Sequence, residues 1–75
     1  MVKPTRVTNT IRQLRFAQGE MTQADLADRI GVTRQTVIAI EQERYSPSLE
    51  MAFQIARVFG VSLDDVFQYP TEEES

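Results

Sequence analysis

Few side chains in this sequence are equipped for covalent chemistry. The 75 residues include no cysteine and no histidine, which removes the thiolate metal site, the disulfide, the commonest general base and the commonest metal ligand. Asp64 and Asp65 make an adjacent carboxylate pair. Neighbouring residues on a helix diverge, however, and acids in a first helical turn answer the helix dipole. With no catalytic constellation, and a chain too small for a pocket of the usual ~300 Å³ or more, the residues predict neither an enzyme nor a bound metal or cofactor. What remains is hydrogen-bonding and charge chemistry. Arg34 is a prime example, since its place opposite Val37 and Ile40 on a helical wheel turns it outward.

Two helices must position that chemistry. Residues 23–42 read QADLADRIGVTRQTVIAIEQ, in which Leu26, Ile30, Val32, Val37 and Ile40 fall where two crossing helices bury a shared face. Ala27 sits at their closest approach, where a larger side chain would hold them apart. Gly31 occupies the turn, where the backbone often needs positive φ. Seven constrained positions agree, and they describe a helix-turn-helix, whose second helix is presented to the major groove of DNA.

The net charge of −3 argues at first against a nucleic-acid partner, but its distribution matters more. Residues 1–44 hold seven of the eight basic side chains against five acids, whereas residues 45–75 hold Arg57 alone against six, three of them Glu72, Glu73 and Glu74. The basic half contains the helix-turn-helix, and affinity for phosphate follows the local field. No apolar run approaches a membrane span and the polar start lacks a signal-peptide core, so the expected location is cytoplasmic. A chain this short also gains much from pairing with a second copy.

The rest of the chain supplies three further helices. The first is expected from Asn9 or Thr10, either of which can cap, to Gln18 before Gly19, with Ile11 and Leu14 facing the core. Thr22 caps the second with Asp25 completing a capping-box-like pair, and Thr33 caps the third, which ends near Glu43. Ser48 caps a fourth carrying Leu49, Ala52, Phe53, Ile55, Ala56 and Phe59, and Ser62 caps a short fifth with Leu63, Val66 and Phe67. Arg6-Val7-Thr8 and Phe67-Gln68-Tyr69 alternate apolar and polar residues. They either pair as a two-stranded antiparallel ribbon or fray. The expected organisation is a disordered arm at 1–5, one all-α five-helix domain at 6–70 and a disordered acidic tail at 71–75. The core is expected from Ile11, Leu14, Leu26, Ile30, Val37, Ile40, Leu49, Ile55 and Phe59. That leaves Leu63, Val66, Phe67 and Tyr69 as surplus apolar surface for a subunit interface.

From Ile11 to Phe67 the chain resembles the Xre/Cro family of phage repressors and their bacterial relatives, most closely its minimal stand-alone members. The marks are RQT at Arg34–Thr36, Ile40-Glu41, YxPSL at Tyr45–Leu49 and FGVSLDDVFQ at Phe59–Gln68. The resemblance implies a lambda-repressor-like fold with a terminal β-ribbon, and a homodimeric DNA-binding repressor. It implies that Gln23 holds a phosphate at a helix N-terminus and that Arg34 and Gln35 reach base edges, arginine suiting guanine and glutamine adenine. Thr33 and Thr36 match phosphate-contacting or capping positions. Arg44, Tyr45 and Ser46 match a loop that grips the backbone, and Arg15 and Glu41 match a buried pair joining the first helix to the third.

Some of these residues have duller readings. Gln35 is also a common exposed helix residue, Tyr45 can pack over the fourth helix, and Arg12 and Arg29 read as solvated. Ile38 and Ala39 stand where many relatives have polar residues. Ile38 suits a thymine methyl group, a partner subunit or simple exposure. The expected partners are double-stranded DNA and a second copy, with no membrane and no small-molecule effector. A protein–protein module, such as an antitoxin or a transcriptional adaptor, is the alternative.

Overall fold

In a computed structural model describing residues 5–70, five helices and a two-stranded ribbon follow the order β1 (Thr8–Asn9), α1 (Ile11–Ala17), α2 (Gln23–Ile30), α3 (Arg34–Glu41), α4 (Leu49–Phe59), α5 (Leu63–Val66) and β2 (Phe67–Gln68). Expectations for residues 1–4 and 71–75 lie outside the described residues. Thr5 lies inside them, and its hydroxyl accepts the Val7 N–H at 3.1 Å.

The helix starts follow local side-chain chemistry. The Thr22 hydroxyl accepts the Asp25 N–H at 2.9 Å while the Asp25 carboxylate accepts the Thr22 N–H at 3.2 Å, a reciprocal cap on two otherwise orphaned donors. Thr33 and Ser48 cap α3 and α4 through Thr36 and Met51. Gly31 closes α2 with φ 75°, and its N–H donates to the Ala27 carbonyl. A Cβ there would meet nothing within 4 Å, so glycine is needed for its backbone angle rather than for space.

At α1 the capping is divided. Thr10 holds the N-cap position without a side-chain cap. Its hydroxyl instead donates to the Asp65 carbonyl at 2.5 Å, and the Asn9 Oδ1 accepts the Ile11 N–H at 3.2 Å. The Thr10 N–H reaches the Val66 carbonyl at 2.9 Å. These bonds fix the antiparallel ribbon at Thr8–Asn9, which shares only Thr8 with the expected first strand, with Thr8 opposite Gln68 and Asn9 opposite Phe67.

Leu26, Ala27, Ile30, Val37, Ile40, Ile55 and Phe59 are buried together with Ile11. Four features differ from expectation. Leu49 is 68% exposed and Phe53 50% exposed, because the core-facing stripe of α4 is Ala52, Ile55, Ala56 and Phe59 and both lie on its flank. Met21, in the turn before α2, is buried at 6% exposure. Val66 is fully buried, so it belongs to the chain's own core and has no surface of its own left for a subunit contact. Leu14 is only partly buried against that core. Among the described residues, no helix is long and apolar enough to cross a membrane.

Candidate nucleic-acid interface

Val37 and Ile40 turn one face of α3 into the core, which leaves Arg34 and Gln35 exposed at its start and Ile38 and Ala39 half-buried along its flank. The Thr33 hydroxyl accepts the Thr36 N–H at 3.3 Å and lies 3.1 Å from the Thr36 hydroxyl. Both threonines are therefore engaged in fixing the first turn that carries Arg34 and Gln35. At the other end, the Arg44 N–H donates to the Ala39 carbonyl at 3.0 Å. This places the exposed Arg44, Tyr45 and Ser46 directly after the helix.

The far end of α3 is held by α1. The Arg15 Nε donates to the Glu41 Oε2 at 2.7 Å and an Arg15 NH2 group donates to Oε1 at 3.1 Å, a two-pronged pair in which each side chain is 9% exposed. A third Arg15 donor meets the Met21 carbonyl at 2.9 Å, and Glu41 Oε1 also accepts the Gln23 amide at 3.3 Å. Every buried side-chain polar atom among the described residues is paired, as a buried charge requires. A second tie comes from β1, where the Asn9 Nδ2 donates to the Ile40 carbonyl at 3.0 Å. The Ile40 carbonyl also accepts the Glu43 N–H at 3.0 Å, so the Asn9 amide is a second donor on its other lone pair and pins the helix to the ribbon. By local spacing alone, Asn9 has only a capping role. Its amide reaches across 31 residues of chain, and no local spacing signals that.

Some of the residues named for the site line one of two recesses. Gln23, Arg34 and Glu41 line one open, polar groove of about 690 Å³ together with Arg12 and Phe16. This surface recess is larger than the chain's size suggested. Ser46 lines a different recess of about 290 Å³, with Pro47, Leu49, Leu63, Phe67 and Val7. Tyr69 is 67% exposed and the Arg6 guanidinium lies 5.8 Å from its ring centre.

Two helices crossing through a glycine turn, with the second anchored from behind and its polar front exposed, define a helix-turn-helix DNA-binding domain. A family model described as HTH_3, helix-turn-helix, matches residues 11–66, and the chain belongs to that family, the Xre/Cro group. It is 55% identical over 53 residues to an uncharacterized HTH-type transcriptional regulator of Methanocaldococcus jannaschii, a match covering 71% of this chain and 80% of that one. A second such regulator, from Methanothermobacter thermautotrophicus, is 53% identical over 58 residues, covering 76% and 83%. In fold, the chain superposes on the crystal structure of a Bacteroides fragilis protein with a TM-score of 0.72 at 22% identity, covering 83% of this chain and 98% of that one. The chain is thus a helix-turn-helix transcriptional regulator of the DNA-binding kind, and not an enzyme.

Proposed function

We propose that the chain is a homodimeric repressor that occupies an inverted-repeat operator, with α3 of each copy in a major groove. The observation that carries this reading is the rigidly mounted outward face of α3, with Arg34 and Gln35 exposed while Arg15, Glu41 and Asn9 hold the helix from behind. In this reading Arg34 and Gln35 contact base edges, and Ile38 and Ala39 meet apolar edges such as thymine methyl groups. Gln23, Thr33, Thr36, Arg44, Tyr45 and Ser46 position the domain on the phosphates.

The apolar recess supports the second copy. Leu49 protrudes at the rim of a groove whose wall includes Leu63 and Phe67. A projection beside a recess on one face is the self-complementary arrangement that a two-fold interface uses. Pairing there covers Leu49, Leu63 and Phe67, with Tyr69 at the edge, and sets two recognition helices about 34 Å apart. Repression follows from occupancy, because a bound dimer obstructs polymerase. Enrichment of duplexes from a random pool by the purified protein tests the reading. The expected product is an inverted repeat with half-sites one helical turn apart, and a pool without enrichment would overturn it.

A further inference from the structure

Phe16 is 53% exposed on α1 although the core lies on the helix's other side. Two arginines lie over its ring, the Arg12 guanidinium 5.5 Å and the Arg15 guanidinium 5.7 Å from the ring centre. The two arginines differ in state. Arg15 is buried and neutralised by Glu41, whereas Arg12 is exposed and has no ion-pair partner among the described residues. An arginine over an aromatic face is held by the ring's quadrupole and keeps its edge donors free. Phe16 thus acts as a platform that restrains Arg12 without consuming its hydrogen bonds.

Arg12 and Phe16 line the same groove as Gln23 and Arg34, so the free guanidinium shares a recess with the start of the recognition helix. Within that groove the charges of Arg15 and Glu41 cancel. Arg12 and Arg34 remain against Glu20, which leaves the recess net positive. A polar, open, positive groove beside a DNA-reading helix matches the strand that flanks the major groove.

We propose that Arg12, restrained by Phe16, is an additional DNA-backbone contact that extends the interface from α3 onto α1. The proposal rests on the DNA-binding reading above. Its occupant is a phosphate of the bound duplex, and its contribution is independent of base sequence.

Fluorescence-anisotropy titrations of the full chain over a salt series, on an enriched duplex and a scrambled one, test it. Arg12→Gln should weaken binding by the same factor on both duplexes and lower the salt slope by about 1 per bound copy. Arg12→Lys should keep the wild-type slope, since the charge is retained. Phe16→Leu should lose part of what Arg12→Gln loses and nothing further when the two are combined, because the ring acts through the arginine. Arg29→Gln removes the same charge from an exposed position outside the groove and should leave the slope unchanged. An Arg12→Gln protein with wild-type affinity and slope would overturn the proposal, as would an equal effect from Arg29→Gln. A wild-type chain that binds neither duplex would overturn the DNA-binding reading along with it.

Discussion

Gln35 and Arg44 stand at opposite ends of α3, both exposed, and their different surroundings assign them different work. Gln35 projects from a turn clamped by the paired threonines, a fixed platform suited to a base edge. Gln35→Ala should cost ~1–3 kcal/mol at one base position per half-site and relax preference there. Arg44 leads the loop after the helix, where a flexible charge suits a phosphate. Arg44→Ala should weaken binding on all sequences alike and make the salt dependence shallower. Titrations of both variants on base-substituted duplexes separate the two roles, and the opposite pattern would reverse the orientation of the domain on DNA. Glu41 works behind the surface. Glu41→Ala strands the Arg15 charge in the core and takes an acceptor from Gln23, so thermal melts should show a loss of ~3–5 kcal/mol. Replacing Arg15 and Glu41 together by apolar residues of similar size should restore much of that stability.

At the scale of elements, α2 and α3 share the most extensive packing in the domain, and Ala27 is 3% exposed, as its expected place at their closest approach requires. Ala27→Leu should cost ~1–3 kcal/mol by overpacking, read as a lower melting temperature against an exposed control such as Arg29→Ala. Unchanged melting would mean that the two helices do not touch there. The five helices were legible in the sequence because their starts are written locally. Thr22 with Asp25, Thr33 and Ser48 each cap within three residues of themselves. Features depending on distant partners were not legible. Thr10 gives its hydroxyl to Asp65 and its N–H to Val66, which sets the ribbon at Thr8–Asn9. Met21 lies in a turn, outside any helical period, and enters the core because Arg15 holds its carbonyl. Leu49 is apolar and follows a good cap, yet a first-turn residue on the flank of α4 does not reach the core. Among the site residues, the outward position of Arg34 could be derived from Val37 and Ile40. The link between Asn9 and Ile40 and the stack of Arg12 on Phe16 needed the assembled fold.

For the whole molecule, the proposed second copy would seat on the open apolar recess beside the protruding Leu49, and Leu63 is only half-buried at the recess wall. Since the fully buried Val66 supplies the core contact of α5, Leu63→Asp should fold, sediment as a monomer and bind an operator far more weakly than wild type. Two half-sites would no longer be engaged as one unit. A dimer that persists in Leu63→Asp would place the interface elsewhere. The central claim is that the exposed start of α3 reads bases, and enrichment from a random DNA pool carried out in parallel with wild type and Arg34→Ala tests it most directly. The variant should enrich the same inverted repeat with base preference lost at one position in each half-site. An identical motif from both proteins would contradict it.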